Sequence, residues 1–151
     1  MEGASPARLY ATLVGGVLVL AGIIGFFYSA SFGSPGNVDD VFGILAVNGW
    51  HNVVHVLTGA IGLLVAGYAA REYALGLGIV YLVVAIWGFA IGSGESILGF
   101  IPVNTEDNVL HTILGVLGIG AGLASPDVGA RRAPAEPARP GSSPGGSGER
   151  L

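Results

Sequence analysis

Gly43–Gly62 reads GILAVNGWHNVVHVLTGAIG, and 56 residues later Gly99–Gly118 reads GFIPVNTEDNVLHTILGVLG, with no gap between the two. Eight of the twenty positions are identical: Gly43/Gly99, Val47/Val103, Asn48/Asn104, Asn52/Asn108, Val53/Val109, His55/His111, Gly59/Gly115 and Gly62/Gly118. Asn and His are rare letters in this Gly- and Val-rich chain, so their pairing marks an internal duplication rather than shared composition. Each copy leaves a short loop, passes through Asn-x3-Asn-x2-His and enters an apolar run whose glycines are spaced for close helix contact.

Composition sets the class of protein around this repeat. The chain has 151 residues, 52% hydrophobic and 11% charged. A soluble domain carries about a quarter charged residues, so the expected environment is a lipid bilayer. Cysteine is absent, which excludes a disulfide framework, a thiolate metal site and thiol chemistry. The basic residues are six arginines, and the net charge of −4 is small and scattered. No basic surface for nucleic acid is encoded.

Taken in order, the chain predicts a short N-terminal segment over 1–6 and four membrane spans over about 7–28, 49–70, 73–91 and 105–124. A polar tail, rich in Pro, Gly and Ser, follows over 125–151. Ser5-Pro6 is a helix-opening pair, Ser as cap and Pro at the first helical position. The run after Arg8 is about the length that crosses roughly 30 Å of hydrocarbon and is too long for a signal-peptide core. Removing it as a signal would also break the two-by-two repeat. Residues 30–42 and 92–104 read as loops, and Arg71-Glu72 marks a tight turn between spans two and three. Glu106 and Asp107 fall in the first turn of the fourth span, where the helix dipole favours carboxylates. The tail has no apolar periodicity and is expected to be disordered, with Arg131 and Arg132 mostly solvated.

Four spans place both termini and the Arg71 turn on one side, and all six arginines fall there. The positive-inside rule makes that side cytoplasmic in a multi-pass protein of the cell membrane. The expected fold is therefore all-α, an integral membrane four-helix bundle made of two parallel two-helix repeats related by a pseudo-two-fold along the membrane normal. Spans one and three match only loosely, around Gly25-Phe26 and Gly88-Phe89.

Three histidines carry the chemistry that the sequence offers. His51 and His55 are four apart and share a helix face, while His111 enters from the other copy at similar depth. With Asn52, Asn108, Glu95, Glu106 and Asp107 at comparable depth, His51, His55 and His111 are chemically sufficient for a divalent metal such as zinc or copper. His55 and His111 also read as axial ligands of a haem between spans two and four. The alternative, weighted above both, is hydrogen bonding within the bundle. Asn48 and Asn104 act as helix caps, Asn52 and Asn108 as hydrogen-bonding groups, and His55 and His111 bond across the bundle to the other copy's Asn. Gly59, Gly62, Gly115 and Gly118 then mark helix contacts. Asp107 stands where the first copy has His51, so a symmetric three-His site is not encoded. No ionisable relay crosses the span centres, which hold mainly Thr12, Thr58, Tyr81 and Thr112 as polar groups, so a small-solute transporter ranks third.

Gly22-x2-Gly25-Phe26, NGWHNVVHVLTGAIGLL from Asn48, Arg71-x-Tyr73 before a Gly-rich span, and NTEDNVLHTILGVLG from Asn104 together resemble a bacterial and archaeal four-helix membrane family, domain of unknown function 4383. The resemblance covers about Arg8 to Ala124. It implies four spans and membrane residence, and no activity. The resulting expectation is a non-enzymatic structural or accessory protein whose partners are the lipid bilayer, other membrane proteins or a second copy of itself.

Overall fold

The computed structural model describes residues 4–125, so the first three residues and the expected tail beyond Ser125 lie outside the described residues. Four helices carry the fold: α1 (Pro6–Gly25), α2 (Gly49–Val65), α3 (Ala70–Ile91) and α4 (Thr105–Leu123). The all-α class holds in outline. The two expected loops, however, each contain a small antiparallel hairpin. Strands β1 (Asp39–Val41) and β2 (Leu45–Val47) join α1 to α2, and β3 (Ser96–Ile97) and β4 (Ile101–Pro102) join α3 to α4.

The hairpins turn the same way in both copies. Phe42 and Gly43 have φ of 54° and 70°, and Leu98 and Gly99 have 54° and 78°. Two successive left-handed residues make the type I′ geometry that suits a twisted hairpin. Phe and Leu are poor residues for that conformation, which is why the sequence does not announce the turn.

Helix boundaries also differ from expectation. α1 closes at Gly25, with 26–28 forming a turn, and α2 closes at Val65 rather than near 70. Ala66–Ala69 makes the connection, so Arg71 and Glu72 lie in the first turn of α3 instead of in the turn itself. The caps are as the sequence predicts. Ser5 Oγ accepts from Arg8 N, Asn48 Oδ1 from His51 N at 2.9 Å, and Asn104 Oδ1 from Asp107 N at 2.8 Å.

α1 packs along α2, and α3 along α4. Glycine sets both distances. A Cβ at Gly15 would stand 2.9 Å from Gly59 O, and one at Gly59 would stand 2.5 Å from Gly15 O. The second copy repeats this with Gly78 and Gly115, at 2.9 and 3.0 Å from each other's carbonyl oxygens. Gly62 and Gly118 face tyrosine rings, those of Tyr73 and Tyr10 respectively. All four glycines singled out from the repeat are thus buried contact points.

These contacts correct the expectation that α1 and α3 match only loosely. They match along their whole length, 63 residues apart rather than 56: Ala7/Ala70, Arg8/Arg71, Tyr10/Tyr73, Ala11/Ala74, Gly15/Gly78, Val17/Val80, Ile23/Ile86, Gly25/Gly88 and Phe26/Phe89. The first connection is longer than the second, and that difference hides the register. The copies then brace each other reciprocally. Tyr10 Oη donates to Leu114 O at 2.9 Å, and Tyr73 Oη donates to Thr58 O, the equivalent carbonyl, at 3.1 Å. Between the copies lies a core of small residues and tyrosines, Ala7, Tyr10, Ala11, Ala70, Ala74 and Tyr81, with Leu18 and Leu77.

The polarity of the bundle is inverted relative to a soluble protein. Its interior holds Gly, Ala, Tyr, Asn and His, while large aliphatic side chains cover the outside of every helix, among them Val17, Leu64, Ile86 and Leu123 at 60–74% exposure. α1 and α3 are long and apolar enough to cross a membrane; α2 is apolar but 17 residues long.

Candidate functional site at the hairpin end

The two hairpins and the starts of α2 and α4 meet at one end of the bundle, and asparagine side chains join them across the repeat. Asn48, fully buried, donates through Nδ2 to Phe100 O at 2.6 Å and to Pro35 O at 2.7 Å. Its counterpart Asn104 donates to Ile44 O, the carbonyl equivalent to Phe100 O, at 2.6 Å. Each Asn therefore caps its own helix with its oxygen and holds the other copy's hairpin with its amide. One turn deeper, the Asn52 and Asn108 oxygens press on Gly25 and Gly88, where a Cβ would overlap them. Those two glycines, shared as Gly-Phe in α1 and α3, are the space that the buried asparagines require.

At and just below this layer the three histidines converge. His51 and His55, one turn apart on α2, have ring centroids 4.4 Å apart. His111 of α4 lies 6.2 Å from His51 and 6.4 Å from His55. One nitrogen from each ring can be chosen so that all three lie within 4.8 Å of one another. His51 and His111 are buried and His55 is partly buried. α2 and α4 pack little on each other elsewhere.

The backbone of a single residue, Ala46, orients this centre. The Ala46 carbonyl lies 2.8 Å from His51 Nδ1, and the Ala46 N–H donates to Asp107 Oδ2 at 3.0 Å. A carbonyl only accepts, so Nδ1 of His51 carries the hydrogen and Nε2 keeps a free lone pair. Asp107 holds the amide side of the same residue from the opposite copy, at the position equivalent to His51. It is 3% exposed. His111 Nδ1 and Tyr81 Oη are buried without a hydrogen-bond partner among the described residues, and the two rings lie 4.9 Å apart.

The sequence expectations divide accordingly. His51, His55 and His111 come together. Asp107 joins them only through Ala46, while Glu95 and Glu106 are exposed. The Asn–His bond expected across the bundle does not form for Asn52, which donates to Ser29 O at 2.8 Å within its own copy. Ala46 and Tyr81 are site residues that sequence reasoning missed: Ala46 acts through its backbone, and Tyr81 replaces Leu18 of the first copy, so neither belongs to the repeated motif.

Chemically, a free imidazole lone pair, an unpartnered ring nitrogen and a third imidazole in a largely buried cluster form a nitrogen donor set without an internal acid to neutralise it. Comparison with curated proteins and with solved structures returns no match. A family model does match, over residues 8–124, which is nearly the whole described chain. On that match the chain belongs to the family described as Domain of unknown function (DUF4383).

Proposed function

We propose that the protein is an integral membrane bundle of four spans with both termini cytoplasmic, and that its role is structural or accessory rather than enzymatic, alone or within a larger membrane complex. The inverted polarity of the helices carries this reading. Burying Gly, Ala, Asn and His while exposing Leu, Ile and Val is unfavourable in water, where contiguous apolar patches rarely exceed a few hundred Å². In lipid the same arrangement costs nothing outside and gains close backbone contact inside. Aromatic side chains gathered at the hairpin end support it as well. Trp50 packs edge-on against Phe32 and Phe100, with ring centroids 5.1 and 5.6 Å away, and its indole N–H donates to Phe32 O at 3.0 Å. Such groups suit a membrane interface, apolar on one side and wet on the other.

Reciprocal bracing favours a rigid scaffold over a carrier. The repeat is parallel, both copies enter from the same end, and Asn48, Asn104, Tyr10 and Tyr73 tie each copy to the other at both levels. Alternating access instead uses repeats that rock against one another.

Tryptophan quenching tests membrane residence. The chain has two tryptophans, Trp50 near the hairpins and Trp87 on the outer face of α3 at 41% exposure. In a Trp50→Phe background reconstituted into vesicles, lipids brominated along the acyl chain are expected to quench Trp87 emission strongly. Emission unchanged by bromination would remove the bilayer reading.

A further inference from the structure

We propose that His51, His55 and His111 form a three-imidazole centre for one divalent transition-metal ion of the zinc–copper class, fastening the two copies at the hairpin end. This goes beyond the scaffold reading and does not depend on which face of the membrane the hairpins occupy.

Four observations converge on it. First, the donor atoms are close. Zinc–imidazole bonds of 2.0–2.1 Å place tetrahedral ligand nitrogens about 3.4 Å apart, and the three nitrogens here lie within 4.8 Å. Rotation of the imidazole rings on metal binding closes the remainder. Second, His51 is prepared as a ligand. Metal-bound histidines usually donate their second ring N–H to a carboxylate or a backbone carbonyl, which fixes the tautomer and aims the other nitrogen at the ion. The Ala46 carbonyl fixes the His51 tautomer in this way at 2.8 Å. Third, His111 Nδ1 is buried without a partner, a costly condition that a metal bond would relieve. Fourth, an acidic cleft borders the residue that orients His51. A cleft of about 470 Å³ lies between the hairpins, lined by Asp40, Ala46, Asn104 and Glu106 among others. Its wall includes the Ala46 peptide that holds His51, and its carboxylates favour a hydrated cation.

The donor set selects the metal. Three neutral nitrogens without thiolate suit zinc and copper(II), whereas calcium and magnesium require oxygen ligands. Haem fits less well. A macrocycle set between His55 and His111 would have to pass where His51 stands, 4.4 and 6.2 Å from those two rings.

The full chain, purified in detergent and stripped with a chelator, is titrated with Zn²⁺ by calorimetry. One ion per chain is expected, with a rise in the thermal midpoint. His51→Gln, His55→Gln and His111→Gln, shown by circular dichroism to keep the parent's helicity, are each expected to bind more than about a hundredfold more weakly, since altering only an outer-shell partner already costs 10–100-fold. X-ray absorption on Cu²⁺- or Zn²⁺-loaded parent protein covers the case of a variant that does not fold. Three coordinated imidazoles support the centre. Two or fewer, affinity equal in parent and folded variants, no binding of either ion, or a haem absorption band in protein from its native membrane would each overturn it.

Discussion

The two copies of the repeat are alike in their backbones and unlike at a few buried positions, of which one decides the chemistry of the hairpin end. Gly15 meets Gly59 as Gly78 meets Gly115, Asn52 presses on Gly25 as Asn108 presses on Gly88, and Tyr10 and Tyr73 donate to equivalent carbonyls. At the first turn of the second helix, however, the first copy has His51 and the second has Asp107, and both reach the backbone of the same residue, Ala46. The imidazole accepts orientation from the carbonyl side, and the carboxylate fixes the amide side. Duplication therefore built a symmetric frame, while divergence at one pair of positions made a centre that neither copy could form alone.

The frame is where substitutions should be most damaging, and equally so in both copies. Gly59→Leu and Gly115→Leu drive a side chain into the facing backbone and are each expected to cost about 3 kcal/mol or more, read from unfolding in mixed micelles. Gly16→Leu is the control. It has open space around its Cβ position, and it should leave stability nearly unchanged. Unequal losses at 59 and 115 would mean that the two helix pairs are not equivalent.

The centre should respond asymmetrically. His51→Asp makes the copies alike and is expected to lower zinc affinity by more than about a hundredfold, measured by calorimetry. Asp107→Leu leaves the Ala46 N–H buried and unbonded, costing about 1–3 kcal/mol of stability. It should also weaken zinc by about tenfold through the loosened Ala46 carbonyl. Asp107→Asn retains an acceptor oxygen, so the stability loss should largely disappear. If Asp107→Leu melts like the parent, Ala46 does not link the two positions.

The smallest expected effect is on the reciprocal bonds. Tyr10→Phe and Tyr73→Phe each remove one hydroxyl from an inter-helix bond and should cost about 1 kcal/mol or less, by similar amounts. A large loss from one alone would show that the brace is one-sided.

Much of the frame was legible in the sequence because it rests on residues with few uses. Asn48 and Asn104 are caps with a specific offset to the helix start, and paired glycines at 59/115 and 62/118 have little reason to recur except contact. The hairpins were not legible, since their left-handed residues are Phe42 and Leu98 rather than Asn or Asp. The register of α1 on α3 was obscured by the longer first connection, although Ala-Arg-x-Tyr-Ala at 7–11 and 70–74 carries it. The convergence of the histidines was beyond sequence reasoning for a different reason. Periodicity places His51 and His55 on one face, but the packing of the two copies on each other brings that face to His111.

The parallel, membrane-spanning duplication is the claim on which the rest depends, and the absence of cysteine makes it directly measurable. Single substitutions Asn37→Cys, Ser93→Cys and Gly67→Cys place a thiol in the first connection, the second connection and the turn between α2 and α3. In intact cells a membrane-impermeant maleimide is expected to label Asn37→Cys and Ser93→Cys alike, and Gly67→Cys only after permeabilisation. Labelling of the two connections from opposite sides, or of all three from the same side, would contradict a parallel four-span repeat.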